Sequence, residues 1–494
     1  MAPGDTARLY HRLSSFAYEP DDEWPTPVLP TPIDDPLVLQ DFVPYDLARL
    51  PPHWKEYPPG LPTVELPREW PAIEASAMSI LAARYAPPPA MPDLAGLARL
   101  LHLSAGVVRT RFDDWRNRTW PFRAAGSAGG RFPIEVYVSS RGVDGLPDGV
   151  HWYDPSGHAL VQVGPPAGGA ATTLIVTGVP WRTCWKYAER GFRHAYWDAG
   201  SMLAQTLALA DSAGFGPRLW TRFPDGEVGR LVGGDGVQEF PVALVGLGPG
   251  EPAIVPTGAA ARGSIGQAPT EFPLVTMAQR AGDQDRLGDA WPVAPPLPGQ
   301  VPASPDLDTV ILRRGSSRVM DSTATVARDV LVFSLAAALQ GTTVPHFVAV
   351  HGVAGLDPGL YRWPDLDRPI RGGSLREEML LVGWDMNLAR DAAFVVMAAI
   401  DLATLDDRAY REAQLEAGIV EGRLHLVAFG LGIGASGLTF LDAEIEGLLG
   451  EPLAGLLFTC VGVPTYRNKA GGPPGRPTSI SRVDAGETPR STSP

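Results

Sequence analysis

The chain has 494 residues, 45% hydrophobic and 19% charged, which excludes collagen-like and wholly disordered classes and suits two domains or one very large one. A net charge of −14 without a basic cluster argues against a nucleic-acid partner held by its phosphates. The lack of any run of 18 apolar residues, or of an apolar segment near the start, predicts neither a membrane span nor a secretory signal, so the expected compartment is the cytoplasm. Two cysteines, Cys184 and Cys460, supply no disulfide framework, and no histidine spacing suggests a metal site.

In chain order, residues 1–75 are rich in Pro, Asp and aromatics and read as an extended arm laid over a domain surface. Residues 76–250 form a first structured block. Within it, 133–139 alternates like a strand, and 194–213 places an apolar stripe on one helical face. A Pro/Gly/Ala-rich connector, 251–307, leads to a second block, 308–470. There, 388–405 is apolar around most of its circumference and reads as a buried central helix, and a further helix is expected over 408–430. Residues 471–494 read as a flexible tail. Strands and helices interleave without a regular βαβ beat, which predicts an α+β fold.

The two blocks resemble each other. AYWDAG (195–200) matches AQLEAG (413–418), and at the same offset Gly214 and Gly216 fall on Gly432 and Gly434. Asp225 falls on Asp442 after one residue of slippage, and VDGLPDGVHWYD (143–154) falls on VAGLDPGLYRWPD (353–365). Matches in the same order at nearly one offset indicate a tandem duplication. The copies are complementary: RAAGSAGG (123–130) precedes the first strand of copy one, where copy two has SLAAALQGTT (334–343). Copy two opens with RRGSSR (313–318), where copy one has SILAAR (79–84). An ancestral symmetric dimer, fused and then stripped of one of its two interfacial sites, would leave this pattern.

RRGSSR offers guanidinium forks and hydroxyls to an oxyanion, although alone it reads equally as a solvated basic turn. GSAGG offers backbone N–H groups that a flat heterocycle could approach, or a merely flexible loop. LGIGASGL (431–438) contains a formal G-x-G-x-x-G, but a helix precedes it where the dinucleotide fingerprint needs a strand. Lys186, one of three lysines in an arginine-rich chain, sits beside Tyr187. A lysine desolvated in an apolar pocket can serve as a base, and a surface lysine at a helix start is the competing reading.

These features resemble the FMN-dependent nitroreductase superfamily, in particular the SagB/ThcOx-type dehydrogenases of ribosomal peptide modification, over roughly residues 75–470 in two copies. The resemblance implies tandem nitroreductase-like units, each a mixed sheet flanked by helices, that form an intrachain pseudo-dimer with FMN at their mutual interface and need no further oligomer. By that likeness Arg314, Ser316 and Arg318, with Arg467 and Lys469, surround the ribityl phosphate. Ser127, Ala128, Gly129 and Gly130 form the loop from the opposite unit, with Gly126 replacing the usual proline. Gly434, Ala435, Ser436 and Gly437 form a glycine turn beside the isoalloxazine. Lys186 and Tyr187 match a pair associated with proton removal during azoline oxidation. Ser201 departs from the pattern, which commonly has histidine there. The implied activity is oxidation of an azoline or similar bond in a precursor peptide, with a cyclodehydratase as a further partner. An NAD(P)H-dependent reductase of nitro, quinone or dehydroamino-acid groups and a non-catalytic scaffold are the alternatives.

Overall fold

A computed structural model describes residues 2–18, 27–28, 42–114 and 117–480. In the first half, strand β1 (Thr63–Glu65) is followed by helix α1 (Leu94–Ala105) and a separate hairpin of β2 (Val107–Asp113) and β3 (Arg118–Arg123). Then come β4 (Ile134–Ser140), β5 (Gly149–Asp154), β6 (Ala159–Gly164) and β7 (Thr172–Gly178). Helices α2 (Pro180–Tyr187) and α3 (Gly191–Ser212) lead to β8 (Arg218–Trp220) and β9 (Phe240–Leu247). The resulting sheet runs β8-β9-β7-β4-β5-β6-β1, antiparallel throughout.

The second half opens with α4 (Leu307–Arg313) and α5 (Arg328–Ala338), then β10 (His346–Val350), β11 (Gly359–Arg362), β12 (Arg371–Gly372) and β13 (Phe394–Ile400). Helix α6 (Asp407–Gly430), β14 (Gly434–Leu438) and β15 (Ala454–Gly462) complete it. Its antiparallel sheet runs β12-β11-β10-β13-β15-β14. Without the extra edge strands the orders coincide: β8-β9-β7-β4-β5 in one half, β14-β15-β13-β10-β11 in the other. The repeated glycines explain how each long helix stops. Gly214 after α3 and Gly432 after α6 both take left-handed backbone, at φ +76° and +78°, a conformation that only glycine adopts without cost.

The halves meet along α3 and α6, and the contact is self-complementary. A Cβ on Gly200 would lie 2.4 Å from the Leu415 carbonyl oxygen, and one on Gly418 would lie 2.5 Å from that of Trp197. At the repeat offset these are the same contact made twice. Buried ion pairs repeat it: Asp442 binds Arg190 and Arg193 at 2.5 and 2.7 Å, while Asp225 binds Arg408 and Arg411 at 2.7 Å each. Residue i on one side meets j on the other and j meets i, the signature of a two-fold interface, here within one chain. The fold is α+β, a tandem duplication closed as a pseudo-dimer.

The expected strand at 133–139 and helix at 194–213 correspond to β4 and α3. The helix is buried on nearly every face rather than along one stripe, because α6 covers the side turned from the sheet. The central helix expected at 388–405 is instead a short helix, Asn387–Asp391, followed by β13, a middle strand of its sheet. A short run apolar on every face suits a buried strand as well as a buried helix, and the three β-branched residues of Phe394–Ile400 sit well in the former. The role of central helix falls to α6.

The N-terminal arm is more than a surface strap. It contains helix Asp5–Leu13, stapled to the second half by Ala7 N–H to Asp407 (2.7 Å) and Phe16 N–H to Asp442 (2.8 Å). It also contributes the edge strand β1, while its residues 19–26 and 29–41 lie outside the described residues. The connector carries a helix, Pro273–Ala281. Residues 471–480 of the expected flexible tail are ordered, with Gly471 N–H on Leu312 O and Thr478–Ser479 paired with β2; 481–494 lie outside the described residues. Among the described residues no helix is long and apolar enough to cross a membrane.

Candidate functional site

Helix α4 starts at Asp306, whose carboxylate accepts from Thr309 N–H at 2.8 Å, and ends at Arg313. The chain then runs extended along the free edge of β14, where Ser317 N–H donates to Ala435 O at 2.9 Å. A Cβ on Gly434 would lie 2.2 Å from Ser317 Oγ, so only glycine permits this approach. Arg318 N–H donates to the Tyr466 hydroxyl at 2.7 Å. Ser316 and Arg318 thereby stand beside Ser436 and Gly437.

The first half supplies the opposite wall. Gly129 turns the loop at φ +60°, and a Cβ there would lie 2.7 Å from Lys186 Cδ and 2.8 Å from the Tyr187 hydroxyl. Asp198 on α3 staples the loop, accepting from Ser127 Oγ at 2.6 Å and Ala128 N–H at 2.9 Å. Between the walls lies a cleft of about 810 Å³. Ser127, Ala128, Gly129 and Tyr187 line it from one half, and Ser316, Arg318, Ser436 and Gly437 from the other.

The remaining expected residues lie nearby but not on the cleft surface. Gly130 continues the loop at φ +64°, and Gly434 and Ala435 belong to β14, so the expected glycine turn is an edge strand. The left-handed residue that turns the chain there is Gly432. Arg314 is buried behind the wall, donating to Ala124 O at 2.6 Å and to His425 Nδ1 at 3.4 Å. Its guanidinium satisfies a loop carbonyl instead of facing the cleft. Arg467 and Lys469 are exposed; from the same YRNK segment, Tyr466 and Asn468 pack against 315–318. Lys186 stands against Gly129, its Nζ 5.2 Å from the Tyr187 ring centre and 5.7 Å from that of Tyr45. Burial first, then the charges of Arg318 and Arg131, hold its pKa below the usual lysine value.

Several lining residues were not anticipated. His194 stacks on Tyr187 at 4.1 Å between ring centres. Burial, then Arg190, Arg193 and Lys186, keep it well below the usual histidine range, so it is neutral. Burial pushes Asp198 up to about 7 despite its two hydrogen bonds. Glu421 on α6 lines the floor, with His425 Nε2 at 2.8 Å from Oε1. Two buried polar atoms of lining residues, His194 Nε2 and Thr439 Oγ1, have no hydrogen-bond partner among the described residues. Asp198 could have been found from the repeat itself, since it aligns with the carboxylate Glu416. No group of His, Cys, Asp or Glu suited to a metal occurs among the described residues.

The pseudo-two-fold places an image of this cleft on the other side of α3 and α6. Ile80, Leu81 and Ala83 stand there in place of the segment after α4, and Gln340, Gly341 and Thr342 in place of the glycine loop. The connector forms one wall, with Trp291 N–H on Leu219 O at 2.6 Å and Leu297 N–H on Ala82 O at 2.9 Å.

No protein-family model matches the chain. A protein of Methanocaldococcus jannaschii, provisionally named a nitroreductase, is 28% identical over 142 residues, covering 26% of this chain and 70% of its own. A crystal structure from Anabaena variabilis, likewise provisionally titled a nitroreductase, superposes with TM-score 0.69 at 24% identity, covering 93% of this chain and 99% of that one. The fold is therefore nitroreductase-like over nearly the whole length.

Proposed function

We propose that the cleft between the glycine loop and the Ser316–Arg318 segment binds one FMN per chain and that the protein oxidises an azoline ring, thiazoline or oxazoline, in a ribosomally made peptide. The observation that carries this reading is the junction itself. One half brings the glycine loop with Tyr187 and Lys186, the other brings Ser316 and Arg318, and neither half alone has both.

The residues fit the cofactor. Arg318 is exposed at the cleft mouth and no carboxylate among the described residues pairs with it, which suits a phosphate with Ser316 completing the contact. The loop at Gly129 leaves backbone bare toward the cleft, as a flat ring system requires. The unpartnered His194 Nε2 and Thr439 Oγ1 call for a ligand with hydrogen-bonding edges. Bound there, FMN would supply a two-electron acceptor able to take a hydride.

The protein's own part is to place the substrate ring and remove a proton. Lys186, held below its usual pKa, has a neutral fraction that can accept it, with the Tyr187 hydroxyl at the cleft surface to orient the ring or pass the proton on. The substrate ring loses one hydrogen as hydride and one as a proton. Dioxygen then takes the two electrons and two protons to give hydrogen peroxide. An azoline is itself the product of cyclodehydration, so a cyclodehydratase acts upstream.

The test is an absorption spectrum of the purified chain, followed by anaerobic mixing with a thiazoline-containing peptide. Flavin bands that bleach on mixing, with peroxide formed on readmitting air, are expected. A flavin reduced by NAD(P)H and not by the peptide would point to the reductase instead, and a chain that takes up no flavin would leave the scaffold.

A further inference from the structure

The floor of the cleft carries a polar chain that the proposed chemistry does not use. Arg314 Nη1 lies 3.4 Å from His425 Nδ1, and His425 Nε2 lies 2.8 Å from Glu421 Oε1. A guanidinium only donates, so Nδ1 accepts and the imidazole proton sits on Nε2, the ring nitrogen beside the carboxylate. Ser201, from the other half, lines the same cleft and also acts on the Glu421 carboxyl. The carboxylate is thus met from both halves of the molecule. Burial alone would push Glu421 up, but His425, Ser201 and Arg314 outweigh it and hold it below the usual glutamate range, so it carries a negative charge at neutral pH. It sits directly against β14, 3.0 Å from where a Cβ on Gly437 would be.

The image cleft shows that the fold does not need this chain. At the equivalent positions Ile80 stands for Arg314, Leu207 for His425, Leu203 for Glu421 and Ile419 for Ser201. All four are apolar; Ile80, Leu207 and Ile419 line the image, and Leu203 is fully buried. A buried ionic cluster is weak support for stability compared with such an apolar set. Its presence only beneath the cleft that carries the glycine loop, Ser316 and Arg318 ties it to what that cleft holds.

We propose that Glu421 is a tuning residue for the flavin, its fixed negative charge at the cleft floor disfavouring the reduced, anionic ring and so speeding its reoxidation. The inference rests on the FMN reading above. With the phosphate held by Ser316 and Arg318, the groups left to hold the ring would be those of the floor, Ser436, Gly437 and Glu421. A negative charge beside a group that gains charge on reduction lowers its tendency to be reduced. Arg314 and His425 act through Glu421 and are positioning residues.

The experiment is spectroelectrochemical titration of the flavin-loaded chain, comparing wild type with Glu421→Gln, His425→Gln and Glu416→Gln. Glu416 occupies the loop-stapling position of the image half and serves as a control. The expected result is a higher midpoint potential and slower reoxidation by dioxygen in Glu421→Gln, a smaller change of the same sign in His425→Gln, and none in Glu416→Gln. His425→Gln keeps the test valid should Glu421→Gln fail to fold. An unmoved potential in the loaded variants, or an equal shift in Glu416→Gln, overturns the tuning role while leaving FMN binding standing. A wild-type chain that binds no flavin removes both.

Discussion

At the cleft walled by the glycine loop, the segment after α4 presents Ser316 and Arg318; at its image the same positions are Ala82 and Arg84, and Arg84 donates to the Leu297 carbonyl of the connector at 2.9 Å. Loop-stapling carboxylates survive on both sides. Asp198 holds Ser127 and Ala128, while Glu416 accepts from Thr343 N–H and Val344 N–H at 2.6 Å each. Only the first loop carries paired glycines at positive φ, Gly129 and Gly130. The helix α2 that brings Lys186 and Tyr187 is replaced in the second half by a single turn, Leu402–Thr404. The image is not smaller, at about 1240 Å³ against about 810 Å³. Two of its cations are engaged with carbonyls: Arg423 donates to Gln340 O at 2.6 Å, and Arg218 to the carbonyl of Gly248 at 3.4 Å and to that of Gly250. Room is therefore not what distinguishes the two. Free polar groups on bare backbone are.

The largest expected effect lies at α2, which the image lacks. Lys186→Ala should abolish peptide oxidation while the flavin spectrum and its reduction by dithionite persist. Lys186→Arg should fail too, since a guanidinium stays protonated and cannot accept the proton. Full turnover by Lys186→Arg would retire the base.

The next effect contrasts the two arginines. Arg318→Ala should weaken FMN binding about ten- to a hundredfold, the cost of one charge-assisted contact at roughly 1.5–3 kcal/mol. Arg84→Ala should leave it unchanged, because Arg84 serves the connector. Equal losses measured by fluorescence titration would erase the distinction between the two clefts.

A smaller effect, a factor of two, is stoichiometry. Titration should saturate at one FMN per chain. Two equivalents would mean that the image, without serines or a glycine loop, still binds.

The smallest is a pH effect on stability at the staple. Asp198 is pushed up to about 7 in the fold from its usual 3.8. Its protonated form is favoured in the folded state, so the stability it contributes is present below about pH 4 and is lost as pH rises through 7. The slope is at most about 1.4 kcal/mol per pH unit. Asp198→Asn should flatten that decline between pH 4 and 7 in thermal melts; an unchanged slope would assign the decline to another group.

Much of this architecture was legible in the sequence because duplication leaves marks that need no tertiary context. Glycines 214 and 432 align because two helices end in the same left-handed turn, and Asp225 aligns with Asp442 because each closes the same ion cluster across the junction. The missing segments, GSAGG in one copy and RRGSSR in the other, marked the two walls of one cleft. Where the reading strayed, the signal was degenerate. Residues 394–400 are apolar on every face, which fits a buried strand and a buried helix alike. Arg314 and Arg318 share one motif, yet one satisfies a carbonyl behind the wall and the other stands at the mouth, because Arg314 still caps the end of α4 while Arg318 lies four residues on, in the segment along β14. YRNK reaches the site through Tyr466 and Asn468 rather than its basic residues because successive side chains of an extended chain point to opposite sides.

By itself, then, the sequence determined the duplication, the α+β class and the pairing of a glycine loop from one copy with a serine–arginine segment from the other, since these are written in order and spacing along the chain. Only the tertiary structure decided that Glu421, His425, Ser201, Asp198 and His194 belong to the same cleft. They lie on two helices more than two hundred residues apart in sequence, and what joins them is the close crossing at Gly200 and Gly418. That crossing is a packing event between two surfaces, which no local pattern on either helix specifies.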